Sequence, residues 1–198
     1  MPAVIVGYAR SPFTPAKKGA LARTRPDDIA AAVVNRLISD IGIDPYLVED
    51  LIVGCAFPEA EQGYNLARII TFLTDLPETV PGVTVNRFCG SSMQSIHDAA
   101  ARINSGQGCA FIAGGVESMS RLPMTGFNPM PNPVLAEEAM TSMGITAENL
   151  SKIHGIDRDA QEAFAIESQA RANNARESGS FVDEIVPIET TDGTVHED

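Results

Sequence analysis

Apolar positions in the first 118 residues follow two different periods. Pro26, with Asp27 and Asp28 behind it, suits the first turn of a helix, and apolar residues then recur at helical spacing as far as Ile41. Short, continuous apolar runs alternate with the helical stretches and predict buried strands. These runs lie at residues 3–8, 51–55, 80–85 and 109–113. Because apolar strands alternate with helices, the pattern predicts an α/β fold with a largely parallel sheet covered by helices.

The pattern changes after Glu117. Residues 118–135 contain four prolines and predict an extended loop. Beyond it the chain favours helices and then a strand. The predicted helices span 136–143, 146–154 and 157–178, and the strand spans 184–189. We therefore expect an N-terminal α/β domain at 1–118 and an α-rich domain at 119–198.

A hairpin signal stands close to the end of the sequence. Asp192-Gly193 favours a tight turn, and residues 194–196 begin a return strand just before Asp198. Because proteins rarely stop within a hairpin, we expect the α-rich domain to be incomplete and the chain to belong to something longer.

Composition and net charge argue against some classes of binding partner. The chain is 44% hydrophobic and carries a net charge of −12, which predicts a globular core and argues against nucleic acid as the main partner. An anionic small ligand needs only local donors and stays compatible. Three cysteines without metal-finger spacing, no signal peptide and no apolar run of about 18 residues predict a reducing, cytoplasmic location without a membrane span.

The strongest chemical signal is the segment from Val83 to Gln94. A β-branched strand ends, the chain turns at Cys89, and a helix is predicted from about Ser91. The start of a helix favours negative charge and therefore a thiolate, which is the nucleophilic form of cysteine. We interpret Cys89 as a candidate nucleophile, and Cys55 and Cys109, which lie in apolar strand patterns, as core residues.

A nucleophilic cysteine needs a base within hydrogen-bond reach. His97 lies eight residues along the same helix, about 12 Å away at 1.5 Å per residue, and is therefore too distant. His154 and His196 have no pattern that places them beside Cys89. Glu117 is the better candidate for a structural anchor after Gly114-Gly115.

Two other chemical interpretations are weak. Gly114-Gly115 after a strand resembles a phosphate cradle, but the fuller glycine-rich fingerprints are absent. The sequence also has no G-x-S-x-G motif, which argues against an α/β-hydrolase.

Five segments in collinear order closely resemble the thiolase family, and together they cover essentially the whole chain. They are Glu61–Arg68, Asn86–Gln94, Ala113–Ser120, Met143–Glu148 and Asp159–Ala165. The resemblance implies a thiolase-like fold, with an N-terminal α/β domain whose sheet is mixed but largely parallel and with part of the family's loop domain. The family's C-terminal half, with its acid/base cysteine, its Gly-His-Pro histidine and its Asn-Glu-Ala motif, is not represented.

The resemblance also implies an activity. It is CoA-dependent thiolysis of a 3-ketoacyl-CoA, or the reverse condensation, through an acyl thioester on Cys89, whose backbone N–H belongs to the oxyanion hole. Met143 matches a methionine of the acyl pocket. Ser142 replaces the histidine of the biosynthetic branch, which favours the degradative branch of fatty-acid β-oxidation. The chain alone is expected to be inactive.

The implied partners are acyl-CoA and CoA, with CoA as a substrate and with no metal or other cofactor. The resemblance further implies at least a dimer and allows a β-oxidation multienzyme partner. Four alternatives stay open: a biosynthetic acetoacetyl-CoA thiolase, a related condensing enzyme such as a ketoacyl synthase, a non-catalytic assembly or CoA-binding domain, and a split enzyme whose second half is another chain.

Overall fold

A computed structural model describes residues 2–135 and 139–198, and the chain divides into two compact units. The first unit comprises Met1–Phe127 with Glu184–Asp198, and the second comprises Asn128–Asp183. The expected functional domains at 1–118 and 119–198 stay a prediction.

A three-stranded parallel sheet forms the centre of the first unit. Strand β1 (Asp50–Gly54) lies between β2 (Gly82–Val85) and β3 (Phe111–Gly115). Every residue of β1 is buried, as expected for the central strand of a covered parallel sheet. Ile52 pairs in register with Val83 on one side and with Ala113 on the other. The predicted parallel α/β arrangement is thus confirmed.

Helices cover both faces of this sheet. They are α1 (Pro26–Ile41), α2 (Leu66–Phe72) and α3 (Ser91–Asn104), with 3-10 turns at Pro45–Leu47 and Ala60–Gln62. Alternate residues of β1 face α1 and α2, and together they form the main core. That core includes Ala31, Val34, Ile38, Leu51, Val53, Cys55, Leu66, Ala67 and Ile70. The opposite face of β1 meets the first turn of α3, where Gly54 lies against Ser91.

Two further helices belong to the second unit. Helix α4 (Met143–His154) begins at the N-cap Ser142, whose side chain accepts a hydrogen bond from a backbone N–H of the first turn, and ends at the left-handed Gly155. Helix α5 (Arg158–Glu177) begins in the same way at Asp157. A small antiparallel hairpin, β4 (Ile188–Thr190) with β5 (Gly193–Val195), returns to the first unit and confirms the predicted turn.

The strand predicted at residues 3–8 is wrong. Val4, Ile5, Val6 and Tyr8 are 71–78% exposed and lie outside any strand. A strand exists only where backbone groups pair with a neighbouring strand. Here the pairing starts at Arg10, whose N–H and C=O bond Glu184 and Val186 at 2.8 Å.

Several element boundaries also differ from the prediction. Of the helix expected at 136–143, residues 136–138 lie outside the described residues, and 140–142 have no regular structure. The next helix starts at Met143 rather than at 146, because Ser142 supplies the N-cap. The strand expected at 184–189 is reduced to Ile188–Thr190, because only these residues pair with the return strand.

Candidate active site

A tight corner connects β2 to α3 and carries Cys89. Phe88 adopts a left-handed backbone conformation with φ of 46°, which is unfavourable for an aromatic residue. Side chains of the corner itself stabilise the turn. Ser91 Oγ accepts the Arg87 N–H at 2.9 Å and donates to the Phe88 carbonyl at 2.6 Å, while Asn86 Oδ1 accepts the Phe88 N–H at 2.8 Å. The sequence thus fixes the corner through short polar side chains on both sides of the cysteine.

Cys89 is exposed and lies one residue before Gly90, the N-cap of α3. Within residues 2–135 and 139–198, its Sγ has no hydrogen-bond partner and its N–H has no acceptor. A thiol in this position is accessible to an electrophile and lies beside the first-turn N–H groups of α3. The helix start predicted at Ser91 is confirmed.

Glycines allow the first turns of α3 to approach the sheet closely. A Cβ on Gly54 would lie 2.6 Å from the Ser91 carbonyl oxygen, and one on Gly115 would overlap the Ser92 hydroxyl. Ser95, fully buried, adds a hydrogen bond of 2.9 Å from its hydroxyl to the Gly114 carbonyl. Gly54 and Gly115 therefore serve helix packing, so Gly115 of the Gly114-Gly115 pair has a structural reason that needs no phosphate.

A polar pair connects the chain segments that follow β1 and β3. Gln62, which is fully buried, donates from Nε2 to Glu117 Oε1 and accepts the Ser118 N–H at 2.7 Å. The other carboxylate oxygen of Glu117 accepts the Ala56 N–H at 2.8 Å. The prediction of Glu117 as a structural anchor is confirmed.

Cys55 borders this pair and is chemically unlike Cys89. Its Sγ is buried, lies 3.3 Å from Gln62 Nε2 and is close to the Glu117 carboxylate. Burial, with a smaller contribution from the negative Glu117, raises the pKa of the Cys55 thiol to about 11. Cys55 is therefore a protonated core residue, as predicted.

The other candidate residues lie elsewhere. Cys109 is exposed, because β3 begins two residues later, so its prediction as a core residue is wrong. His97 lies on the exposed face of α3, and His196 is exposed after β5. His154 ends α4 and Met143 begins it, so both belong to the second unit.

An ion-pair cluster lies next to Gln62 in the sequence. Arg121 binds the Glu61 carboxylate through two nitrogens, and Arg25 lies 3.7 Å from it while also bonding Asp27. The Arg121 hydrogen bonds, and then the charges of both arginines, lower the pKa of Glu61. This cluster holds the 60–62 turn in place beside the polar pair.

Sequence reasoning missed the role of Gln62. A glutamine in a segment rich in Pro, Gly and charged residues is expected to be exposed, and no periodic pattern marks position 62. Its burial follows from tertiary contacts with residues 57, 117 and 118, which are distant from it in the sequence or lie in a loop.

Two absences hold within the described parts of the chain. No three His, Cys, Asp or Glu side chains there come together in a way that suits a metal ion. Nor does any helix there combine the length and the apolar character that crossing a membrane requires.

An accessible thiol at a strand–turn–helix corner, on a parallel α/β sheet, defines a class of proteins that use a cysteine nucleophile. Within that class, residues 3–198 match the family model "Thiolase, N-terminal domain". The chain therefore belongs to the thiolase family and corresponds to its N-terminal domain.

Similar curated proteins carry the same family name. The chain is 50% identical, over 99% of its length, to a 3-ketoacyl-CoA thiolase of Bacillus subtilis (strain 168), of which it covers 51%. It is 43% identical over 92% of its length to a 3-ketoacyl-CoA thiolase of Saccharophagus degradans, and 43% over 93% to one of Escherichia coli O139:H28. It covers 48% of each of these two. The chain thus spans about half the length of the curated relatives it matches.

Proposed function

We propose that this chain supplies the acyl-carrying half of a 3-ketoacyl-CoA thiolase. The observation that supports the proposal best is the exposed Cys89, without a hydrogen-bonded partner among the described residues, at the start of α3 in a thiolase N-terminal domain. The names of the similar proteins support 3-ketoacyl-CoA as the substrate class, since each is a 3-ketoacyl-CoA thiolase.

The proposed reaction has two acyl transfers. The Cys89 thiolate attacks the keto carbon, the bond between the keto carbon and its neighbouring CH₂ breaks, and the leaving carbanion takes a proton to become acetyl-CoA. The acyl group stays on Cys89 as a thioester, and the thiol of a second CoA then displaces it as the shortened acyl-CoA. A thiol suits both steps because it is a soft nucleophile and a good leaving group.

The backbone also has a proposed role. The Cys89 N–H has no acceptor among the described residues and lies beside the first turn of α3. It is therefore available to bind the oxyanion that forms when Sγ attacks a carbonyl. The proton transfers require a base that no described residue provides at Sγ.

Several finer features belong to the same proposal. We place the protein in the degradative branch, hence in fatty-acid β-oxidation, because Ser142 precedes Met143 where the biosynthetic branch has a histidine. Met143, exposed at the start of α4, is the proposed contact for the acyl chain. CoA acts as a substrate, no other cofactor takes part, the location is cytoplasmic, and the assembled enzyme is at least a dimer, open to a β-oxidation multienzyme partner.

A hybrid enzyme tests the proposal. We would fuse this chain to the part of the Bacillus subtilis thiolase that it does not cover, and measure thiolysis of acetoacetyl-CoA. We expect turnover approaching that of the intact Bacillus subtilis protein, and its loss in the Cys89→Ser hybrid, because only Cys89 carries the acyl group. A hybrid with native-like circular dichroism and no thiolysis would overturn the proposal, and so would full activity after Cys89→Ser.

A further inference from the structure

The polar side chain of Gln62 is fully buried, and its hydrogen bonds fix the orientation of its amide group. The Ser118 N–H needs an acceptor, so the amide oxygen points to it at 2.7 Å. The amide nitrogen then points to the Glu117 carboxylate and to the Phe57 carbonyl, the latter at 3.0 Å. Gln62 therefore links the segment after β1 to the segment after β3 through both ends of one amide.

Hydrogen bonds connect Glu117 to the Cys89 corner. Its carboxylate accepts the Ala56 N–H at 2.8 Å, and the Ala56 carbonyl accepts Asn86 Nδ2 at 2.9 Å. The side-chain oxygen Oδ1 of the same Asn86 amide in turn accepts the Phe88 N–H at 2.8 Å. A continuous chain of hydrogen bonds thus runs from the pair to the residue before Cys89.

A second path runs through aromatic contact. The Phe57 carbonyl accepts from Gln62, and the Phe57 ring packs on Phe88 with 6.1 Å between centroids and planes tilted by 54°. Both paths end on Phe88, the residue with the left-handed backbone. Such a conformation persists only where the surroundings hold it.

We infer that Gln62 and Glu117 are positioning residues that hold the Cys89 corner in place. They act from the chain segments that follow β1 and β3. The inference rests on the proposed function, since it gives the pair a role in acyl transfer through the placement of Cys89. When the pair is intact, Cys89 is held exposed at the start of α3, beside the first-turn N–H groups. When the pair is broken, the corner relaxes and the thiol loses that environment.

Single isosteric changes break the pair. Gln62→Glu removes the donor and faces one carboxylate with another. Glu117→Gln leaves one oxygen for two donors, so its NH₂ faces either the Gln62 NH₂ or the Ala56 N–H. We expect either variant to slow the alkylation of Cys89 by iodoacetamide about ten-fold, because the corner no longer holds the thiol in place, and the pH profile of the rate is recorded alongside. Peptide mass spectrometry of this chain gives the rate at each cysteine, and the exposed Cys109 is the internal reference.

The double exchange Gln62→Glu with Glu117→Gln serves as the rescue. It reverses the central hydrogen bond, because the amide at 117 then donates to the carboxylate at 62. The Ser118 and Ala56 N–H groups keep oxygen acceptors, and only the contacts to Phe57 and Cys55 are lost. We expect most of the parent rate to return.

Asp50→Asn is the matched control. Asp50 is a hydrogen-bonded carboxylate at the opposite end of the sheet, buried at the start of β1, and it accepts from Arg102 at 2.6 Å. We expect it to leave the Cys89 profile unchanged. Gln62→Met, which keeps the shape without a charge, replaces Gln62→Glu if that variant does not fold.

Two outcomes would contradict the inference. If the single variants lower the urea midpoint but leave the Cys89 rate and pH profile as in the parent, the pair is merely structural and the inference fails. It also fails if parent Cys89 reacts no faster than Cys109. The proposed function fails separately, when the folded hybrid enzyme shows no thiolysis.

Discussion

Cys55 and Cys89 show how one residue type acquires opposite properties within one unit. Cys55 is surrounded by Gln62, Glu117 and the apolar core, so burial favours its neutral form. Cys89 is exposed at the start of α3, where a reagent can reach its thiol. Selectivity between the two thiols therefore comes from environment and needs no difference in intrinsic chemistry.

The raised pKa of Cys55 predicts a loss of stability at alkaline pH. The thiol has a pKa of about 11 in the folded chain, against an ordinary value of 9.0. Between about pH 9 and 11 the folded state therefore binds more protons than the unfolded state, so the free energy of unfolding falls as the pH rises. Urea unfolding at a series of pH values measures this slope.

Cys55→Ser is the informative variant for that slope, because a hydroxyl keeps the polar contacts without titrating in this range. We expect the fall between pH 9 and 11 to be smaller in Cys55→Ser and unchanged in Cys109→Ser, which alters an exposed thiol. Equal slopes in all three proteins would contradict a buried, protonated Cys55.

At the scale of elements, the contact between β1 and the first turn of α3 sets the place of the corner. Gly54→Ala would put a methyl group against the Ser91 backbone, which has little freedom to move. We expect a loss of about 1–3 kcal/mol in the free energy of unfolding, as for other overpacked sites. Alkylation of Cys89 is also expected to slow, because the start of α3 moves away from the sheet.

Gly114→Ala is the matched control on the neighbouring strand. A Cβ there meets nothing within 4 Å, so we expect a change within about 0.5 kcal/mol and unaltered Cys89 alkylation. Chemical denaturation measures the free energy of unfolding of both variants, and the alkylation assay measures their Cys89 rates. A Gly54→Ala protein as stable as Gly114→Ala would show that α3 does not depend on this close approach.

Local signals predicted the elements whose cause is local. The start of α1 follows from Pro26 and its acidic first turn, and the start of α3 follows from the turn at Cys89. Residues 3–8 have the composition of a strand, but pairing depends on a neighbour that composition does not specify. The site divides in the same way, since Cys89 stands in a local pattern, whereas Gln62 is defined by contacts with distant residues.

At the scale of the whole molecule, the proposed nucleophile has no base beside it among the described residues. Cys89 Sγ has no hydrogen-bond partner there, His97 is exposed further along α3, and His196 is exposed after β5. The chain spans about half the length of its curated relatives, as in the 51% of the Bacillus subtilis thiolase that it covers. Nucleophile and base are therefore expected to come from different halves of the enzyme.

This division predicts that reactivity and turnover separate in the isolated chain. We expect Cys89 to be alkylated faster than Cys109, while thiolysis of acetoacetyl-CoA stays at least about 10²-fold below that of the intact Bacillus subtilis thiolase, since general acid–base catalysis contributes about 10²–10⁴. Cys89→Ser gives the background rate. Turnover near that of the intact enzyme would show that the described residues already contain the base. A rise in turnover on adding the complementary half as a separate chain would show that the base acts on Cys89 across a non-covalent interface.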